Sequence, residues 1–265
     1  MTQITPAPPL NAFARNVYSE NGEDGIISEI LRRLEIADGS GSWCVEFGAW
    51  DGKFRSNTFA MVERGWNAVY IEGDAQKFRD LLITAQGQPR IVPINAFVSR
   101  SSNDVDSLDR LLERTQIPRE FDVLSIDVDS YDLDIWESLN GYRPKIVVIE
   151  INSSVPPGIV WRHSPNTPEN TFSATQYVAL HKKYTLVCHT GNCIYVRDDL
   201  VAKIDLHPRY VTYPELLFLF DSPWFPAHQF SEKRRPIIQF IPAPLRPVLR
   251  RFRFLRELKK KLPLR

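Results

Sequence analysis

Trp43-Cys-Val-Glu-Phe-Gly-Ala-Trp-Asp-Gly52, followed by Ala68-Val-Tyr-Ile-Glu-Gly-Asp74, decides the fold of this 265-residue chain. A short apolar run ends in an acid, Glu46, and Gly48 and Gly52 come after it. A second apolar run delivers another acid, Glu72. Glycine turns the backbone sharply off a strand and admits a ligand close to the main chain. An acid after the second strand accepts hydrogen bonds from ribose hydroxyls. Together the two segments predict an α/β sheet that holds an adenosine-containing cofactor.

The glycine spacing narrows the choice of cofactor. Dinucleotide folds show G-x-G-x-x-G and rest the pyrophosphate on a helix N-terminus. Here Glu46 stands before the first glycine, and Trp50 and Asp51 lie inside the loop. A carboxylate repels pyrophosphate, but it attracts an ammonium or sulfonium group, more strongly in a partly desolvated pocket. S-adenosylmethionine has both cationic groups and needs no pyrophosphate cradle. A glycine turn that merely joins strand to helix is the plain alternative, and Glu72 weighs against it.

With these residues in view, the chain resembles the S-adenosylmethionine-dependent methyltransferases, and within them the FkbM-like family, over residues 17–200. Four blocks in order carry the resemblance. They are Tyr18-Ser-Glu-Asn-Gly-Glu-Asp-Gly-Ile-Ile27, Cys44–Gly52 with Ser56-Asn57-Thr58, Tyr70–Asp74, and Phe121-Asp-Val-Leu-Ser-Ile-Asp-Val-Asp129. Trp50 departs from the commonest loop of such enzymes, where a glycine often stands. The resemblance implies a doubly wound, Rossmann-like α/β fold, with a mostly parallel sheet closed by a terminal antiparallel hairpin.

Composition sets outer limits. The chain is long enough for one substantial core, with or without an appended segment. Its 43% hydrophobic and 25% charged residues are ordinary for a soluble globular protein, and its net charge of +1 gives no global field toward nucleic acid. Cys44, Cys188 and Cys193 are too few and scattered for a disulfide framework or zinc cluster. Cys44 reads as a core residue, and a reducing compartment disfavours a bridge between Cys188 and Cys193 across their hairpin turn. The first ten residues lack a basic region followed by an apolar stretch, so no signal peptide is expected. No apolar run approaches the roughly 20 residues that span a bilayer. A cytoplasmic location is the expectation.

Along the chain, residues 1–39 read as an irregular, proline-rich start followed by a cap helix from Gly25 to Leu34. Residues 40–204 read as the cofactor-binding domain. Strands are expected at Trp43–Phe47, Ala68–Ile71, Arg90–Ile94, Val123–Ile126 and Lys145–Ile151, alternating with helices at Asn57–Gly65, Ala75–Gln86, Val105–Thr115 and Asp132–Leu139. That alternation indicates a parallel sheet with helices on both faces. A further helix over 173–183 and a hairpin of Tyr184–His189 with Ile194–Arg197 complete it. Residues 205–242 form an aromatic extension or lid containing Pro214, Pro223 and Pro226, and 243–265 form a basic tail. From Arg246 to Arg265 that tail has nine Lys or Arg and one acid, Glu257, with Phe252, Leu255, Leu258 and Leu262 at helical intervals. It reads as an amphipathic helix lying on anionic lipid at the inner face of a membrane, or on an acidic partner. A solvated tail is the plain alternative.

In open α/β sheets the ligand sits at the carboxyl ends of the strands. Glu46, Gly48, Ala49, Asp51 and Gly52 are candidates for the cofactor there, with Asp51 alternatively a helix cap. Ser56 and Asn57, with Thr58, contact the cofactor or cap the next helix. Glu72 is assigned to the ribose. Gly73 follows it, and Asp74 supports Glu72 or caps. Asn95, Ala96 and Phe97 follow the third strand, where the resemblance places adenine; Asn95 can bond a base edge and Phe97 can stack on it. Ser19, Glu23 and Asp24 fold over the cofactor or cap the first helix.

Asp127 and Asp129 share one face if their strand persists, as do Glu150 and Asn152. The four make an oxygen-rich set suited to Mg²⁺, and the resemblance to sugar O-methyltransferases implies metal ligands at these strand ends. A cation there lowers the pKa of a substrate hydroxyl. In the alternative, Asp127 contacts the cofactor's amino group and the others cap helices or hold loops. Asp129 and His163 compete as general base. His163 lies in the polar, proline-punctuated loop 153–170, as a substrate-facing residue would. His181 and His189 read as structural.

The first functional expectation is methyl transfer from S-adenosylmethionine to a hydroxyl, with the sugar acceptor, in a surface glycan or glycosylated metabolite, implied by the resemblance. A non-catalytic scaffold using its basic tail is the second, and an NAD-type oxidoreductase the third. Glycine spacing and the terminal hairpin disfavour the oxidoreductase. The core lacks a base-flipping signature such as Asn-Pro-Pro-Tyr, so no nucleic-acid partner is expected. A homo-oligomer is left open.

Overall fold

The computed structural model describes residues 9–220. The basic tail over 243–265 and the part of the aromatic extension beyond residue 220 lie outside the described residues. The strands are β1 (Trp43–Phe47), β2 (Asn67–Glu72), β3 (Ile91–Asn95), β4 (Val123–Ile126), β5 (Ile146–Glu150), β6 (Tyr184–His189) and β7 (Asn192–Arg197). They form one sheet in the order β3-β2-β1-β4-β5-β7-β6. β1 to β5 pair in parallel, and the hairpin β6–β7 closes the sheet through an antiparallel pairing of β7 with β5. The doubly wound fold with its terminal hairpin is therefore present. Strand order reverses between β1 and β4, which opens a crevice at their carboxyl ends.

Strand alternation sorts the core into two layers. Val45 and Phe47 of β1 pack with Val69, Ile71, Leu124 and Ile126 on one face, beneath α4 (Leu108–Leu112), α5 (Asp132–Ser138) and α6 (Phe172–Lys182). Cys44 packs with Ala68, Tyr70, Val123 and Val148 on the other, against α1 (Glu23–Leu34), α2 (Phe59–Glu63) and α3 (Ala75–Gly87). Period-two alternation of apolar side chains on both faces is what a sheet covered by helices requires. All three cysteines are buried free thiols. Among the described residues no helix is long and apolar enough to cross a membrane.

Two helices are shorter than their apolar periodicity predicts. The stretch expected over 57–65 is helical only at Phe59–Glu63, because residues 56–58 bend to aim their donors at Glu46. The stretch expected from Val105 begins at Leu108, since Val105 is 73% exposed and adds nothing to the buried face.

Two acids at the start of α1 tie the N-terminal segment to the rest. The Asp24 Oδ2 atom accepts from the amides of Val17, Tyr18 and Ser19 and from the Ser19 hydroxyl, which folds 17–19 into a tight strap. Glu23 is fully buried. Its Oε1 accepts from Thr190 Oγ1 and Asn192 Nδ2 at the β6–β7 turn, and its Oε2 accepts from the Asn21 amide. Neither side chain caps α1, whose N-cap is Gly22 at φ 94°.

The other end is locked by His189. Leu219 N donates to His189 Nδ1, so Nε2 bears the proton and donates to Ser153 Oγ, which in turn donates to Gly191 O. Burial holds His189 down at about 3, so the ring stays neutral, stacked 4.6 Å from Phe218. Residues 214–220 thus pack on the sheet's hairpin end.

Replacing Glu23 by Ala strands two buried donors at the hairpin turn. Urea unfolding should register a loss of about 3 kcal/mol, with Glu23→Gln losing less because it keeps one acceptor. Equal stability of Glu23→Ala and the parent would contradict this tie.

Candidate functional site

The crevice is built where the loops after β1, β2, β4 and β5 meet. Gly48 adopts φ 76°, and a Cβ there would lie 1.7 Å from the Asp127 carbonyl oxygen. Only glycine lets the β1 loop cross the β4 end so closely. The amides of Gly48 and Ala49 both donate to Ile71 O, and Gly52 N closes the loop onto Ala49 O. Trp50, at φ 45°, aims its amide at Glu72 Oε2 (2.9 Å), while the Asp74 amide reaches Glu72 Oε1 (2.8 Å). Two backbone donors thus hold the Glu72 carboxylate, and each oxygen keeps a lone pair for a further donor.

The neighbouring candidates divide. Glu46 shares its strand face with Cys44, and its carboxylate is buried beneath the β1 loop. It accepts from Ser56 Oγ, Asn57 N and Thr58 Oγ1, and burial raises its pKa. Ser56, Asn57 and Thr58 are buried with it, and Asn57 Nδ2 also donates to Ser125 Oγ on β4. This group shapes the loop from below. Asp51 Oδ1 accepts from the amides of Lys53 and Phe54, the local turn use of aspartate. Asp74 caps α3 through Gln76 N and Lys77 N. Asn95 Nδ2 donates to Glu72 O and Gly73 O, and the Ala96 amide donates to Glu72 O. Phe97 is 77% exposed and lies across Gly73, where a Cβ would meet its ring at 2.3 Å. Asn95 and Phe97 therefore flank Glu72.

Strand β4 stops at Ile126, so Asp127 and Asp129 do not meet by strand alternation. A left-handed turn at Asp129, φ 57°, brings them together instead. One carboxylate oxygen from each of Asp127, Asp129 and Glu150 lies within 4.8 Å of the others. Asn152 is past the end of β5, and its Oδ1 accepts from Ser154 N and Oγ. Burial first, then the field of Asp132 on Asp127 and of Asp127 on Glu150, raise the pKa of both acids, and a hydrogen bond between the two carboxyls lets them share a proton. Glu150 Oε2 is buried with no hydrogen-bond partner among the described residues. Asp129, by contrast, is exposed. A left-handed non-glycine residue beside partly buried acids is the kind of local strain that collects at functional sites.

His163 lies against Tyr131, ring centroids 4.7 Å apart, and Arg100 covers Tyr131 at 4.5 Å. His163 Nδ1 is buried with no partner among the described residues. Two more acids stand beside the cluster. Asp132 accepts from Val128 N and Ser130 N and shapes the turn, while Glu169 adds its field from the loop after β5. The D-x-D-x-x-D spacing signals Asp132. Nothing in the sequence signals Glu169, which is brought near only by tertiary folding.

No family model matches this chain, and no curated protein matches it. Among solved structures it is similar to TrmK of M. capricolum in complex with S-adenosyl-homocysteine, at 12% identity and TM-score 0.39, covering 64% of this chain and 68% of that one. It is also similar to the N-terminal domain of EvdMO1 in the presence of S-adenosyl-homocysteine and D-fucose, at 12% identity and TM-score 0.41, covering 66% and 80%. A putative O-methyltransferase from Klebsiella pneumoniae stands at 14% identity and TM-score 0.41, covering 73% and 92%. At these values the fold assignment rests on this chain's own strand order.

The partly buried acid pair makes a signed prediction. The folded state keeps a proton on Asp127 and Glu150 that the unfolded chain releases near the ordinary values of 3.8 and 4.5. The unfolded state then binds fewer protons, so this pair lowers stability as pH rises through neutrality. Glu150→Gln should therefore gain stability relative to the parent as pH goes from about 5 to about 9 in thermal melts. A pH-independent difference would refute the shared proton.

Proposed function

We propose that this chain is an S-adenosylmethionine-dependent O-methyltransferase whose acceptor is a hydroxyl of a sugar, in a surface glycan or a glycosylated metabolite. The observation that carries the reading is Glu72, held by the Trp50 and Asp74 amides at the end of β2 with a free lone pair on each oxygen. It ends β2, the strand next to the β1–β4 pair where strand order reverses, and ribose ligands stand at such strand ends. Gly48, Ala49 and Gly52 let the main chain approach the cofactor, Asn95 and Phe97 border the adenine end, and Asp127 offers negative charge for the amino-acid end. When bound, S-adenosylmethionine supplies an electrophilic methyl group.

The chain's own residues orient the acceptor and take its proton. Alignment in a closed crevice supplies several orders of magnitude in rate, and a base adds about 10²–10⁴-fold. Asp129 is the base in this reading: its carboxylate is exposed beside Asp127 and Glu150, whose shared proton limits repulsion. His163 is the weaker candidate. To accept at Nε2 it would need a proton on Nδ1, and that atom is buried without an acceptor among the described residues. A magnesium-assisted variant is favoured by one observation, the three oxygens within 4.8 Å with Glu150 Oε2 lacking a partner. Oxygen donors of this type suit Mg²⁺. Asp127, Asp129 and Glu150 would hold the ion, which would acidify the acceptor hydroxyl.

Calorimetric titration with S-adenosylhomocysteine should give binding, and NAD should give none. Glu72→Ala should weaken that binding at least about tenfold, the cost of one charged hydrogen bond; unchanged affinity would remove the ribose assignment.

With a sugar acceptor in hand, Asp129→Asn should lower kcat by about 10²-fold or more while leaving S-adenosylhomocysteine affinity intact, and His163→Asn should cost far less. Full activity in chelator would reject the magnesium variant and leave the base.

A further inference from the structure

The loop after β5 returns to the acid cluster through a buried side chain, Asn170, which is 1% exposed. Its Nδ2 donates to Ser130 O (3.1 Å), and its Oδ1 accepts from His163 N (3.0 Å). Its own carbonyl oxygen accepts from Asn152 N (2.8 Å). These partners belong to the turn after β4, the loop over 153–170 and the end of β5, so one residue holds three segments together. Ser130 and Asn170 are 40 residues apart, which makes their contact a tertiary one.

The position calls for a primary amide of this length. His163 presents a backbone N–H and Ser130 a backbone carbonyl, so the side chain must accept at one atom and donate at the other. Asparagine does both, whereas aspartate lacks the donor. The reverse amide orientation would set N–H against N–H and oxygen against oxygen, so the two partners fix the orientation.

The residues it joins follow strained ones. Asp129, immediately before Ser130, has φ 57°, and Glu169, immediately before Asn170, has φ 47°. Left-handed backbone at a non-glycine residue persists only where the surroundings over-determine it. Asp132 fixes the amide side of the β4 turn, accepting from Val128 N (2.8 Å) and Ser130 N (2.9 Å). Asn170 fixes the carbonyl side. Through Asn152, two residues beyond Glu150, it also ties that turn to the end of β5.

We propose that Asn170 is a positioning residue, clamping the β4 turn to the end of β5 and so fixing where the Asp129 carboxylate stands. The inference rests on the reading of Asp129 as the base. Being buried, Asn170 acts through Asp129 and not on the acceptor. Without the clamp the turn opens and the base leaves its alignment, which lowers kcat and spares cofactor affinity.

Variants of the full chain separate the arms of the clamp. Asn170→Asp keeps an acceptor for His163 and removes the donor to Ser130, while Asn170→Ala removes both. Arg162→Gln is the control. It loosens the same loop by breaking the ion pairs of Arg162 with Asp134 (2.9 Å) and Glu137 (2.5 Å) on α5. Amide hydrogen exchange over residues 127–131, read by mass spectrometry, should rise about tenfold in both Asn170 variants, the opening expected from one lost hydrogen bond. In Arg162→Gln it should stay at the parent's rate. With a sugar acceptor in hand, both Asn170 variants should lose about tenfold in kcat at unchanged S-adenosylhomocysteine affinity, and Arg162→Gln should stay near the parent. Unchanged exchange over 127–131 in Asn170→Asp overturns the proposal, as does parent-like kcat in a variant whose turn has loosened. An equal kcat loss in Arg162→Gln also overturns it, because general loosening of the loop would then suffice. If Asn170→Ala lacks the parent's far-ultraviolet spectrum, Asn170→Asp decides. Failure of the parent to bind S-adenosylhomocysteine would sink the methyltransferase reading separately, and exchange over 127–131 would still decide the clamp.

Discussion

The grip of Glu72 on two backbone amides organises this molecule. By accepting from Trp50 on the β1 loop and from Asp74 on its own loop, one carboxylate joins the ends of β1 and β2. The β1 loop can be held there only because Gly48 passes against the Asp127 carbonyl without a side chain. That contact in turn seats the β1 loop on the end of β4 and places the acid cluster beside it.

Acids perform distinct tasks at different depths, and their surroundings separate the roles. Glu46 is buried beneath the loop with three neighbouring residues donating to it, so it supports and does not touch solvent chemistry. Asp127 and Glu150 are partly buried next to each other, where desolvation favours one shared proton over two charges. Asp129 stands outside that pair and is exposed. One region thereby holds a structural carboxylate, a proton-sharing pair and an exposed carboxylate.

Both ends of the described chain are fastened to the same hairpin. Glu23 reaches Thr190 and Asn192 from the N-terminal side, and His189 receives the Leu219 amide from the C-terminal side. The strap over 17–19 and the segment around Phe218 are thus positioned by polar groups that must be paired once buried. This explains why the β6–β7 hairpin, remote from the glycines in sequence, belongs to the architecture around the site.

The sequence by itself determined the strands, their alternation with helices and the acids that end them. β1 and β4 lie where the apolar runs end, at Trp43–Phe47 and Val123–Ile126, because local periodicity and glycine punctuation are properties of adjacent residues. The terminal hairpin was legible for the same reason. Tertiary structure alone decided which acids face the crevice. Glu46 turned beneath the sheet because β1 alternation set its face and three donors from residues 56–58 awaited it there. Asp127 and Asp129 met through a left-handed turn and not a continued strand, and Asn152 was drawn to Ser154. Glu169 joined the cluster from a loop whose path no local pattern encodes. A residue's neighbours along the chain set its element, but its charge state and its partners depend on groups far away in sequence, and only packing brings those together.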